Sequence, residues 1–192
     1  MFRLAFICIL LSITTACSEP VDYTFGFSAE ESNRFYLVTA EFDDYMNVPA
    51  GIIGCCLANG GKSASMFPEK YPKKAYFVWH DKPADIYYHA TLKYPENLKE
   101  IADDLPDFFL IKGYQGVERK EPKAVYLITS ITSNNEVVTW VANTMMGAPH
   151  IDRTIIELDR AKGEPFVPEF IKERRRKKAL QAKNQTDSES GK

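Results

Sequence analysis

Two patterned segments on either side of a pair of asparagines constrain this chain most. From Val125 to Thr132, and again from Val137 to Ala142, β-branched and apolar residues recur with a period of two. That period places alternate side chains on one face of a strand and would scatter them around a helix. Asn134-Asn135 tolerates positive φ, so the stretch predicts a β-hairpin closed by a tight turn. A lone hairpin is marginal in water, so the chain must supply more strands to cover it.

Further strand candidates follow from the same pattern. Tyr23 to Phe27 and Arg34 to Phe42 are rich in aromatic and β-branched residues, and Gly51 to Leu57 is a short apolar run ending at the turn Asn59-Gly60-Gly61. Lys74 to His80 and Asp85 to Leu92 predict a second hairpin across Pro83. In the second of these, Ile86, Tyr88, Ala90 and Leu92 share one face, and Tyr87, His89 and Thr91 the other. Lys62 to Lys74, with Pro68 and Pro72, predicts a loop, as does Met145 to His150. Pro95 to Leu105 has helical spacing at Leu98, Ile101, Ala102 and Leu105 and stops before Pro106. Thr154 to Leu158 predicts the last strand. The fold class expected is mainly β: an antiparallel sandwich-like domain over 23–167 with one short helix, then a basic helix and a disordered end over 168–192.

Charge divides along the same boundary. From Glu19 to Phe170 there are 15 basic and 23 acidic residues, and from Ile171 to Lys192 there are 8 basic and 3 acidic. An acidic body thus precedes a basic tail, and the net charge of -2 averages two different objects.

The first residues, MFRLAFICILLSITTAC, carry Arg3, an apolar run from Leu4 to Leu11 and then small residues. The run is shorter than the roughly 20 residues a bilayer-spanning helix needs. It fits a secretory signal over 1–16, with 17–22 as a linker. Thr14-Thr15-Ala16-Cys17 resembles the box that ends lipoprotein signals, although Thr14 stands where leucine is usual. Cys17 is therefore the expected lipidation site, and an ordinary signal cut nearby is the alternative. More than one acyl chain makes such anchoring stable, at ~0.8 kcal/mol per buried methylene. Ser18 after the cysteine resembles the pattern of enterobacterial lipoproteins held on the periplasmic face of the outer membrane.

With Cys8 in the signal and Cys17 lipidated, Cys55 and Cys56 remain. Three readings stay open: two buried reduced thiols, a disulfide between neighbours, or bonding to another chain. The flanking Ile52, Ile53 and Leu57 favour burial. Two adjacent thiols without a second ligand pair make a poor zinc site.

Other chemistry is thin. Gly61-Lys62-Ser63 resembles the end of a phosphate-binding loop, but Cys56 stands where that loop needs glycine, so a polar turn is the plainer reading. His80, His89 and His150 are the only histidines. His80 and His89 fall on adjacent expected strands, where packing histidines are commoner than catalytic ones. Asp103, Asp104 and Asp107 fit a solvated helix end better than a calcium site. The run Arg174-Arg175-Arg176-Lys177-Lys178 suggests a solvated tail or a contact with anionic headgroups. Export argues against nucleic acid. No cofactor or metal is expected.

The stretches Pro72 to Trp79 (PKKAYFVW), Ile86 to Pro95 (IYYHATLKYP) and Tyr126 to Trp140 (YLITSITSNNEVVTW), with a final strand like Thr154 to Leu158, are similar to a family of bacterial lipoproteins built on a domain of unknown function. Asn134-Asn135 replaces the family's usual glycines, and Cys55-Cys56 looks more like a related lipoprotein family. Members of both often sit beside type VI secretion effectors, and some resemble their immunity proteins. The resemblance implies a non-catalytic periplasmic lipoprotein that binds and neutralises a protein partner. The loops around Met66-Phe67 and Met145-Met146 are the contact candidates. The alternative is a structural or accessory envelope lipoprotein binding membrane, peptidoglycan or another envelope protein. An enzyme comes third.

Overall fold

The computed structural model describes residues 22–66, 68, 70–113 and 116–189. Cys17 and the expected signal lie outside them. The protein is mainly β, 49% strand and 13% helix. The described residues form fourteen strands and two helices: β1 (Tyr23–Ala29), β2 (Phe35–Phe42), β3 (Met46–Asn47), β4 (Gly51–Ile52), β5 (Lys62–Met66), β6 (Lys74–Asp81), β7 (Ile86–Lys93), α1 (Leu98–Asp103), β8 (Phe108–Lys112), β9 (Glu118–Pro122), β10 (Tyr126–Ile131), β11 (Glu136–Ala142), β12 (Ile151–Asp152), β13 (Ile155–Lys162), β14 (Glu164–Phe166) and α2 (Glu169–Glu189).

Two sheets make the sandwich. The first runs β13-β11-β10-β1-β5, and the second β14-β7-β6-β2-β3 with β4 also on β2; β12-β8-β9 form a small third sheet. Within the first sheet β1 and β10 are parallel, and the other neighbours are antiparallel. Phe25, Phe27, Leu127, Ile131, Val137 and Val141 face Phe35, Leu37, Phe42, Phe77, Trp79 and Leu92 across one core, which α1 closes with Leu98 and Ala102. Period-two patterning explains which residues turn inward. In β2 the inward set changes phase, from Phe35 and Leu37 to Ala40 and Phe42, and a register shift between Leu37 and Thr39 absorbs the extra residue.

Both expected hairpins form. Asn135 takes φ +58°, and Asp85 takes φ +54° at the β6–β7 turn. At one edge the chain passes from β13 to β14 and so from the first sheet to the second. Gly163 is the corner, because a Cβ there would strike the Trp79 ring. Beside it, buried Asp81 accepts hydrogen bonds from Arg34 at 2.8 and 3.3 Å and from Asn135 at 3.5 Å. Burial pushes the Asp81 carboxyl up, but the bonds and charge of Arg34 outweigh it and hold the group below its ordinary range.

Several expectations change. The first five residues of the loop expected from Lys62 to Lys74 are strand β5, because Lys62 to Met66 pairs with β1. The β8–β9 hairpin had no signal, since Glu118–Pro122 is polar and mostly exposed. The strand expected over Gly51 to Leu57 shrinks to β4 and one bridge between Ala29 and Cys55, with only Ile53 of its apolar residues buried. Helix α2 continues to Glu189, through part of the end expected to lack structure. No helix among the described residues is long and apolar enough to cross a membrane.

Candidate functional site

The outer face of the second sheet is built by the residues that alternation turns away from the core. At one end, cross-strand pairing aligns Tyr36 of β2 with His80 of β6, His80 with Tyr87 of β7, and Tyr87 with Phe166 of β14. Strand pairing therefore gathers four residues from three distant segments of the chain into one row across the sheet. His80 stacks on Tyr87 with ring centres 4.3 Å apart, and Tyr87 meets Phe166 and Phe170 edge-on at 6.4 and 5.8 Å. The next row pairs Val78 with His89, whose ring packs edge-on to Phe166 at 5.1 Å.

Tyr36 is 42% exposed, and Val38 and Phe170 beside the row are 40% and 49% exposed, while His80, Tyr87 and Phe166 are half-buried, so solvent meets the row chiefly at Tyr36 and along its flanks. Aromatic side chains with a polar tip offer large contact area at low entropic cost, which is why they recur at the centres of interfaces. His80 Nε2 lies 3.0 Å from Asp85 Oδ1, and His89 Nε2 lies 3.9 Å from Glu164. Burial, and then the Glu41 carboxylate, push the Tyr76 hydroxyl up, so it stays protonated as a donor on this face.

The row lies at the end of the sandwich opposite Tyr23. β1 and β10 run parallel from Thr24/Tyr126 to Ala29/Ile131, and the β10–β11 turn at the far end reaches Asp81 through Asn135. The seven residues of β1 separate the two ends by roughly 20 Å. A groove of about 320 Å³ continues the row, with Asp85, Ile86, Tyr87, Phe166, Ile171 and Arg175 among its lining residues.

The residues singled out from sequence lie elsewhere. Cys55 and Cys56 are joined by a disulfide, and both are exposed, which corrects the expectation of burial. Only Ile53 of the flanking apolar residues reaches the core, and a hydrogen bond from the Cys55 amide to Ser32 Oγ holds the pair at the surface. Met66 ends β5, paired with Tyr23, and Phe67 lies outside the described residues. Met145 is half-buried against Gly60, and Met146 is 57% exposed beside it. Neither joins the aromatic row. His80 and His89 do share its face, whereas His150 pairs its carbonyl with Lys112 near the third sheet. Asp103 and Asp107 take Lys99 and Lys123 as partners at the end of α1. Gly61 precedes β5, which begins at Lys62 as an ordinary strand. Among the described residues no group of three or more His, Cys, Asp or Glu side chains is arranged to hold a metal.

Sequence reasoning placed Tyr87 and His89 on one common face of their strand and put His80 on the adjacent strand. It missed Tyr36, Phe166 and Phe170, whose only local signal is an aromatic side chain at an outward position. No family model, curated protein or solved structure matches the chain.

Proposed function

We propose that this protein is an exported lipoprotein, acylated at Cys17, that works without catalysis by binding a protein partner. Its sharpest form is immunity against a type VI secretion effector at the periplasmic face of the outer membrane. The supporting observation is the outer-face row Tyr36–His80–Tyr87–Phe166, half-buried but for the exposed Tyr36, with exposed Phe170 beside it. A lipid on Cys17 would tether the chain close to Tyr23, at the end of the sandwich opposite this row. The contact surface proposed is therefore the row, rather than the loops around Met66 and Met145.

The test is co-expression with an effector encoded beside this gene and directed to the periplasm. Wild type should protect, and Tyr36→Ala/Tyr87→Ala should lose protection while keeping its fold by circular dichroism. Protection that persists in the double variant removes the surface assignment, and no protection by wild type removes the immunity form. Loss on His80→Ala alone, with both tyrosines dispensable, would point to an enzyme. Labelling with a fatty-acid analogue should mark wild type and not Cys17→Ser.

A further inference from the structure

We propose that the end of the domain opposite Tyr23 binds an acidic protein segment that carries one apolar side chain. That side chain would fill the groove between β7, β14 and the start of α2, and the segment's carboxylates would meet the basic side chains of α2. The proposal rests on the reading of this end as the partner surface and adds the partner's chemistry.

Charge carries the first half. Every residue of α2 from Lys172 to Gln181 is exposed, and Arg174 to Lys178 places five consecutive cations around more than one full helical turn. Lys172 and Arg176 are near Glu169, at 3.1 and 4.0 Å. Arg174, Arg175, Lys177 and Lys178 have no carboxylate partner among the described residues. Like charges three and four apart, such as Arg174 with Lys177 and Lys178, repel within the helix. A polyanionic partner removes that repulsion and is steered toward the site over several ångströms.

Shape carries the second half. The groove volume sits at the lower bound of ligand-sized clefts, about 300 Å³, and its lining is mostly apolar, with Asp85 and Arg175 as its charged residues. Ile86 and Val167 are 38% and 41% exposed there, so filling the groove removes apolar surface from water. Arg175 and Asp85 both line the groove. Asp85 lies 3.0 Å from His80 Nε2, which leaves Arg175 to receive an incoming carboxylate.

An anionic bilayer is the competing occupant, and two features disfavour it. A helix that lies in a membrane interface needs an apolar stripe, and from Lys172 on α2 has only Ala179 and Leu180 before Gln181. The helix also leaves the end of the sandwich farthest from Tyr23, and so from a lipid on Cys17.

The probes are three fluorescently labelled peptides added to the full chain and read by anisotropy. One is a Glu-Gly peptide with a single central Leu; the second replaces Glu by Lys, and the third replaces Leu by Ser. The Glu–Leu peptide should bind, the Lys–Leu peptide should not, and the Glu–Ser peptide should bind about tenfold more weakly. Arg174→Glu/Arg175→Glu/Lys178→Glu, at exposed positions that leave near-UV dichroism unchanged, should weaken the Glu–Leu peptide by tenfold or more. Raising salt from about 0.05 to 0.5 M should weaken it as well. Ile86→Ser should erase the difference between the Leu and Ser peptides. Equal binding of the Lys–Leu and Glu–Leu peptides overturns the proposal. So does binding to phosphatidylglycerol vesicles through the same cations without peptide binding. If the peptides fail while protection still requires Tyr36 and Tyr87, this inference falls and the partner-binding reading stands.

Discussion

On the outer face of the first sheet, Gly26, Ser28, Ile128, Ser130, Val138 and Trp140 are buried beneath other parts of the chain, whereas on the outer face of the second sheet Tyr36 and Val38 meet water. The cover on the first sheet comes from residues 55–61 and 145–153. A Cβ on Gly26 would lie 2.8 Å from the Gly60 Cα, so backbone rests directly on the strand. Ser28 and Ser130 share a 2.7 Å hydrogen bond, and Ser130 Oγ accepts the Ala58 amide at 3.0 Å. Arg153 donates to the carbonyls of Ala58 and Met145, and the Gly147 amide donates to Asn59 Oδ1. At Gly26, Ser28 and Ser130 small residues let the loop backbone rest on the strands and satisfy its polar groups, and Ile128, Val138 and Trp140 pack beside them. On the open face Tyr36 and Val38 stay 42% and 40% exposed. That difference separates a face used for stability from one free to bind.

The largest expected effect tests the covered face. Gly26→Val should drive the Gly60 backbone away and cost about 3 kcal/mol, read as a lower urea midpoint at unchanged slope. A cost near zero would mean the cover is not packed as described.

Asp81→Asn should cost slightly less, about 2–3 kcal/mol, because it leaves Arg34 partly buried without its carboxylate. Asp81 has its carboxyl held below the ordinary 3.8 in the folded state. A lowered folded-state value contributes stability above the unfolded value and loses it as pH falls through the folded one. Wild type should therefore lose stability faster than Asp81→Asn on titration below about pH 4, where the two curves converge. Parallel curves would exclude Asp81 as the source.

Arg153→Ala should cost about 1–2 kcal/mol, since two carbonyls lose a charged donor. Hydrogen exchange should rise over 55–61 and 145–153 together and stay unchanged over β6 and β7. A rise confined to one segment would show that the two halves of the cover are not coupled.

The smallest effect is expected on the open face. Tyr36→Ala should change the unfolding free energy by no more than about 0.5 kcal/mol, as surface substitutions usually do. A loss as large as that of Gly26→Val would show that the row supports the fold, and the contrast between the faces would disappear.

Much of the second sheet was legible because its hairpin partners are neighbours in the chain. The division of Ile86–Lys93 into inner Ala90 and Leu92 and outer Tyr87 and His89 follows from strand period alone. The exposed Cys55–Cys56 pair was not legible, because its position depends on Ser32 and on Ala29, more than twenty residues away. Nor was β9, whose Glu118–Pro122 becomes strand through pairing with β8 rather than through an apolar pattern of its own.

Local sterics and alternation by themselves determined the strands of both main hairpins, the positive-φ turn at Asn135, the buried face of α1 and the division between an acidic body and a basic end. These depend on contacts within a few residues. Tertiary structure alone decided that β1 would lie parallel to β10 and that Arg34 would meet Asp81. It also decided that backbone would cover Gly26 and leave Tyr36 open. Each of those outcomes joins segments far apart in the chain, as Ser28 and Ser130 are, 102 positions apart. Such contacts form only when the whole sandwich closes and the combined burial outweighs the entropy of bringing the segments together.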